Sequence, residues 1–235
     1  MERALIVNDD WLKAHGGKTP GGFDSLYYGD EFCQVKIPGL GGIKKAARNL
    51  PGKKIILLTS VLTQEYLKRT VRTIREGFSG GCLDEVVVND IGLLHYLVNK
   101  PDVKVAINIG RVLVYTLGFS LRSPFFIKMF KKRKIDAFEA DSLDSFGYLR
   151  TKSALKYNLH APYRYLAQTR FCGHTQKFNG GCDRHCGDDV RPVISGVTDK
   201  MFLKGNVYLK DNSADIARIR GSLPAGRIKR LVFCL

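Results

Sequence analysis

Short apolar, β-favouring runs recur along the chain at Ala4–Val7, Ser25–Gly29, Ile55–Thr59, Glu85–Val88, Val103–Asn108, Ile135–Phe138, Leu155–Leu159 and Leu231–Leu235. Between most of them apolar residues return at helical spacing. In Thr63–Glu76, with the preceding Leu62, the side chains of Leu62, Tyr66, Leu67, Val71 and Ile74 share one face, while Lys68, Arg69 and Arg72 take the other. Gly42–Leu50, Ile91–Val98, Arg111–Leu117 and Leu143–Leu149 read as further helices. Continuous apolar strands alternating with amphipathic helices predict a parallel sheet covered by helices. With eight strand segments, a (β/α) TIM-like barrel in one domain spanning residues 1–235 is the leading architecture. Several units are shorter than usual, so an incomplete or distorted barrel is expected. A doubly wound sheet is the rival, but L-I-V-N-D-D-W after the first strand has none of the glycines of a dinucleotide-binding turn.

A barrel of this kind assembles its site from the loops that follow the strands. Gly29, Asp30, Glu31 and Cys33 follow one strand, Asn89, Asp90 and Gly92 another, Asn108 and Gly110 end a third, and His160 ends a fourth. His160, Asp90 and Asn108 are therefore the candidate catalytic residues. Each also has an ordinary structural use: acidic residues in such loops cap the next helix, and a histidine at a strand end is often a hydrogen-bonded core residue.

Composition adds charge and redox chemistry to this frame. A hydrophobic fraction of 44% suffices for a real core, so disulfides are not needed for stability. The N-terminal apolar run is too short for a signal peptide and no stretch approaches membrane-spanning length, which points to the cytoplasm. The 38 Lys and Arg against 22 Asp and Glu give a formal charge of +16, a surface suited to nucleic acid, an anionic metabolite, an acidic protein or anionic lipid. Its densest run, K-M-F-K-K-R-K at Lys128–Lys134, also reads simply as the solvated last turn of a helix.

In a reducing compartment, clustered cysteines are more often metal ligands or redox groups than bridges. The segment F-C-G-H-T-Q-K-F-N-G-G-C-D-R-H-C-G, residues 171–187, holds three of the six cysteines, and a barrel allows Cys33 to join Cys172, Cys182 and Cys186 at one rim. Four thiolates suit either tetrahedral zinc or an iron–sulfur cluster. Zinc sites usually pair closely spaced knuckles, whereas one ligand here comes from nearly 140 residues away. That favours a cluster, with zinc or unligated thiols as alternatives. Cys82 and Cys234 read as packed thiols, and His174 and His185 as neighbours of the loop.

Several motifs resemble the collagenase-like peptidase family U-32. L-H-A-P-Y-R-Y-L-A-Q-T-R-F-C (Leu159–Cys172) is similar to its strand ending in His-Gly-Ala, followed by an Arg-Cys pair. Y-Y-G-D-E-F-C (Tyr27–Cys33) resembles the turn that carries an early cysteine in the UbiV branch. V-V-V-N-D-I-G (Val86–Gly92) and V-A-I-N (Val105–Asn108) resemble two further strand ends, so the agreement runs in order through most of the chain. The resemblance implies a [4Fe-4S] cluster on Cys33, Cys172, Cys182 and Cys186. It also implies an oxygen-independent hydroxylation system, in which this chain pairs as a heterodimer with a larger, UbiU-like homologue in anaerobic ubiquinone biosynthesis. Other members hydroxylate bases of transfer or ribosomal RNA. The chain departs from the family where E-A-D-S (Glu139–Ser142) replaces a Glu-Leu-Ser turn, where Ala-Pro follows His160, and in its short length.

Three function classes follow: an iron–sulfur hydroxylase subunit, an RNA-modifying enzyme motivated by the positive charge, and a peptidase. The last is disfavoured, since neither H-E-x-x-H nor G-x-S-x-G occurs.

Overall fold

The computed structural model describes residues 1–100, 102–133, 135–149, 156–169, 171–172, 177–178, 182, 186, 190–193, 201–223 and 226–234. In chain order the elements are β1 (Glu2–Val7), α1 (Asp9–Ala14), β2 (Ser25–Gly29), α2 (Leu40–Asn49), β3 (Lys54–Leu58), α3 (Gln64–Ser79), β4 (Glu85–Val88), α4 (Ile91–Asn99), β5 (Ala106–Ile109), α5 (Arg111–Leu117), α6 (Pro124–Lys132), β6 (Ile135–Ala140), α7 (Leu143–Leu149), β7 (Lys156–Ala161), β8 (Tyr163–Gln168), β9 (Phe171–Cys172), β10 (Lys177–Phe178), β11 (Arg191–Val193), β12 (Met201–Lys204), β13 (Val207–Asp211), α8 (Ser213–Ser222) and β14 (Ile228–Phe233). Short 3-10 turns occupy Gln34–Lys36 and Gly118–Arg122.

Eight parallel strands close into a barrel in the order β1-β14-β7-β6-β5-β4-β3-β2. The expected eight segments are these eight strands. The expectation of an incomplete or distorted barrel is corrected: β1 pairs with both β2 and β14, so the ring closes despite a six-residue α1. Closure is possible because each short helix still lays an apolar face on the sheet. Leu5, Leu26, Leu57, Val86, Ile107, Phe138 and Leu159 point outward into the layer shared with residues such as Ile43, Ile74, Leu94, Val114 and Ile219. The helix expected at Thr63–Glu76 is α3, with Ile74 fully buried and Tyr66, Leu67 and Val71 packed partly under it.

The periodicity missed the insertion between β7 and β14. After a cis Ala161–Pro162 bond the chain enters a four-stranded antiparallel sheet, β11-β12-β13-β8, with β9 and β10 forming a separate pair. Its strands are half-buried and carry mixed residues, as in Y-R-Y-L-A-Q, so they lack the apolar continuity of barrel strands.

Inside the barrel, one side is apolar, with Ala4, Ile6, Ile56, Leu58, Val87 and Val232 in contact. The other side is polar. Arg230, with no exposed surface, sends Nη1 to the Tyr27 hydroxyl (3.0 Å), while Nη2 reaches Glu85 Oε1 (3.0 Å) and Glu2 Oε2 (2.9 Å). Lys229 and Asn108 also donate to Glu85. Burial alone pushes the Glu85 carboxyl up, but Arg230, Lys229 and Asn108 outweigh it and hold it down at about 2.

Replacing Arg230 with Met should destabilise the protein by about 3–5 kcal/mol in urea unfolding, because Glu85 would keep its charge with one strong partner removed. Since the folded pKa of Glu85 lies below the ordinary 4.5, its contribution is present above pH 4.5 and is lost as pH falls towards about 2. Acid unfolding of Glu85→Gln should lack that component of the wild-type slope.

Candidate functional site at the barrel mouth

The loops at the C-terminal ends of the strands converge on one buried arginine. Arg111 opens α5 immediately after Gly110, where a Cβ would come within 2.1 Å of the Asn89 side chain, so only glycine lets β5 turn this tightly. The Arg111 guanidinium contacts Glu31 through both Nε and Nη2. Its Nη1 reaches Asp141 Oδ2 (3.2 Å) and the Tyr163 carbonyl (3.0 Å). Asp141 Oδ2 also accepts from the Tyr165 amide (2.7 Å), and Tyr165 stacks on Phe32 at 5.6 Å. The β2 loop, the end of β6 and the inserted sheet are thereby clamped together over the mouth.

His160 lies beneath this clamp. Its Nε2 is 2.7 Å from Glu139 Oε2, and Glu139 Oε1 accepts from Asn158 (2.8 Å) and Tyr27 (3.1 Å). The other ring nitrogen, Nδ1, has no hydrogen-bond partner among the described residues, and Glu31 Oε2 is 3.9 Å away. Burial first, then Arg111, pushes the His160 pKa down to about 3, so the ring is neutral at ordinary pH. Burial lifts Glu139 to about 7 in spite of its hydrogen bonds and the nearby Arg230 and Lys229. When Glu139 is ionised it accepts from Nε2–H and leaves Nδ1 an acceptor. When it is protonated it can donate to Nε2 and turn Nδ1–H outward.

His160, Glu31, Asp30, Arg111 and Lys204 border a cavity of about 30 Å³ at the mouth. That volume holds a water or a single small polar group, not a metabolite. Of the other candidate catalytic residues, Asp90 caps α4 through Leu93 N (2.8 Å) and accepts from Leu62 N (3.1 Å). Asn108 donates to Glu85 (2.8 Å) inside the barrel. Neither borders the cavity.

Of the four expected ligand thiols, Cys33 is near enough to Cys186, and Cys186 to Cys182, for their charges to influence one another. Cys33 lies just before the turn Gln34–Lys36, and the amides of Val35 and Lys36 donate to its sulfur. Burial, then Asp30, raises its pKa to about 11, and Cys186 adds to the rise. Burial likewise raises Cys186, which receives a hydrogen bond from the Lys36 ammonium and is close enough to Cys182 to be affected by it. Lys36 is itself buried, with Asp10 at 4.0 Å. Cys172 lies on β9 opposite Lys177. No disulfide joins the six cysteines. Among the described residues, no group of three or more His, Cys, Asp or Glu is drawn up close enough to hold a metal ion. Two amides and a buried ammonium favour the thiolates, but burial outweighs them at both Cys33 and Cys186, so the thiols stay protonated unless a cation is bound. Cys82 donates to the Gly77 carbonyl as a packed thiol, while Cys234 borders the cavity and meets Lys204 at 3.3 Å. His174 and His185 lie outside the described residues.

Sequence reasoning passed over Arg111, Asp141 and Tyr27 and assigned Glu139 no role. The available signal was a charge inside an otherwise apolar unit, as in I-G-R-V-L-V and A-F-E-A-D.

No family model and no curated protein matches the chain. Among solved structures, a glycoside hydrolase family 18 N-acetylglucosaminidase from Paenibacillus barengoltzii aligns over 99% of this chain and 94% of its own, with 9% identity and a TM-score of 0.45. The chitinase ChiW from Paenibacillus sp. str. FPU-7 aligns over 98% and 40%, with 12% identity and a TM-score of 0.42. Likeness at this level carries no functional weight, and the barrel assignment stands on the strand pairing itself.

The Glu139–His160 pair gives opposing pH effects. Glu139 binds its proton more tightly when folded, so it adds stability as pH falls from about 7 towards 4.5. His160 resists protonation when folded, so it removes stability as pH falls from 6.5 towards about 3. Thermal unfolding of Glu139→Gln should show stability falling steadily on acidification below pH 6.5, whereas His160→Gln should gain stability between pH 7 and 4.5. The wild type should lie between the two.

Proposed function

We propose that the chain is an iron–sulfur subunit of an oxygen-independent hydroxylation system of the U-32 type, similar to the UbiV branch and acting in the cytoplasm. The observation that carries this reading is the approach of the thiols: Cys33 of the β2 loop is near enough to Cys186 of the insertion, and Cys186 to Cys182, for their charges to interact, with the Val35 and Lys36 amides at Cys33 and the buried Lys36 ammonium donating to Cys186. The raised pKa values of Cys33 and Cys186 make these thiols poor nucleophiles, but a bound metal would take them as thiolates, and N–H donors then become favourable. Cys33, Cys172, Cys182 and Cys186 would hold the [4Fe-4S] cluster, and zinc is the alternative occupant. When bound, the cluster supplies one-electron chemistry or fixes the surrounding loops. Lys36 would offset the negative charge of the thiolates, and Asp30 would tie the loop by accepting from the Phe32 (2.8 Å) and Cys33 (3.0 Å) amides.

The small mouth cavity supports a subunit rather than a self-sufficient enzyme. The inserted sheet fills the space in which a barrel enzyme would normally seat its substrate, so a second chain is needed to complete a substrate cavity. A larger U-32 homologue with an acidic surface, UbiU-like, is the proposed partner, and the +16 charge would steer its approach. The same charge favours RNA modification as the second reading. That reading predicts RNA affinity falling steeply with salt. Peptide hydrolysis is not proposed, because the residues at the mouth offer no activated nucleophile.

In anaerobically prepared protein, Cys33→Ala, Cys172→Ala, Cys182→Ala and Cys186→Ala should each sharply lower iron and sulfide content and visible absorption, while Cys82→Ala leaves them unchanged. Stoichiometric zinc without iron would overturn the assignment. Co-expression with a larger U-32 homologue from the same genome should yield a heterodimer on size exclusion at low salt. Hydroxylation by the isolated chain would refute the partner requirement.

A further inference from the structure

The connection between β5 and β6 carries a feature that the thiol site leaves unused. Residues 118–134 contain six Lys and Arg and no Asp or Glu, together with four Phe. The inner face of α6 is accounted for: Phe126 is buried, Met129 and Phe130 pack on the core, and Phe130 meets Phe138 edge-on at 5.3 Å. The outer face is not. Phe119 and Phe125 are each 66% exposed and Ile127 is 40% exposed. Among the described residues only seven large apolar side chains are exposed, and three of them fall within these nine positions. Scattered single exposures are ordinary, but this concentration is not.

The cations around the patch divide into two groups. Arg122 lies over the Phe119 ring at 5.2 Å and donates to the Gly147 carbonyl, Lys132 reaches Asn99 (2.7 Å), and Arg133 donates to the Val103 and Val105 carbonyls. Lys128 and Lys131 are exposed on the outer half of α6, Lys128 next to Phe125 and Lys131 next to Ile127 around the helix. We propose that this corner, the turn Gly118–Arg122 together with α6, docks the protein reversibly on anionic lipid bilayers, with Phe119, Phe125 and Ile127 entering the interfacial layer and Lys128 and Lys131 meeting headgroup phosphates.

Three observations favour lipid over other anionic partners. Aromatic and aliphatic side chains bordered by lysines match the chemistry of a bilayer interface, whereas lysine is depleted in protein–protein interfaces. Arg122 covers one face of Phe119, which leaves less ring for base stacking. Ile127 offers a nucleic acid no stacking surface at all. A few inserted side chains and two exposed cations give weak, salt-sensitive attachment rather than permanent anchoring.

The full chain should co-sediment with phosphatidylcholine vesicles containing about one quarter phosphatidylglycerol and not with phosphatidylcholine alone. Phe119→Ser with Phe125→Ser, and separately Lys128→Gln with Lys131→Gln, should each reduce binding on the order of tenfold or more. These four side chains are exposed, so unchanged thermal unfolding would confirm intact folding of both variants. Equal binding to the two vesicle types, or binding to neither, overturns the proposal. So does competition by a structured RNA that depends on the lysines but not on the phenylalanines, or an altered oligomeric state in the Phe variant without any vesicle effect.

Discussion

Everything at the mouth of this barrel hangs on the burial of Arg111. A guanidinium at the start of a helix is opposed by the helix dipole and by the loss of water, and it stays there only because Glu31 and Asp141 face it from two other elements. Those contacts do three jobs. They hold the β2 loop that carries Cys33, they draw the inserted sheet down through the Tyr163 carbonyl, and they fix the Arg111 charge that joins burial in keeping His160 neutral. The placing of the β2 loop, the small mouth cavity and the neutral His160 all draw on this one charge arrangement.

The interior below continues the same theme. A barrel of this size is normally filled by layers of branched aliphatic side chains. Here half of the interior is a hydrogen-bonded chain running from Glu2 and Glu85 through Arg230 and Tyr27 to Glu139 and His160. Such a network adds little net stability over a hydrophobic core, but it is costly to break at any one member. It therefore fixes side-chain positions closely, and it connects the base of the barrel to the cavity at its mouth.

The two faces that offer themselves to partners differ in kind. The mouth presents the Cys234 thiol, the Asp30 and Glu31 carboxylates and a neutral imidazole around a cavity of about 30 Å³. The α6 corner presents phenylalanine and lysine to the surroundings and encloses nothing. On the two proposals, the rim would take a protein partner while the outer wall would meet a membrane.

The eight barrel strands and the helices α2, α3, α4, α5 and α7 were legible because burial on both faces of a parallel strand, and on one face of a helix, writes a periodicity into the chain. His160 was visible as a strand-end residue, and Cys33 as a residue of the loop after β2. The sequence could not reveal that Arg111 meets Glu31 across 80 positions or that Arg230 meets Tyr27 across 203, because pairing at that range depends on barrel closure and leaves no local pattern. The inserted sheet was equally silent, since its half-buried strands lack a continuous apolar run. Local burial determined the frame. The long-range neutralisation of buried charge, which only the closed barrel makes possible, determined the site.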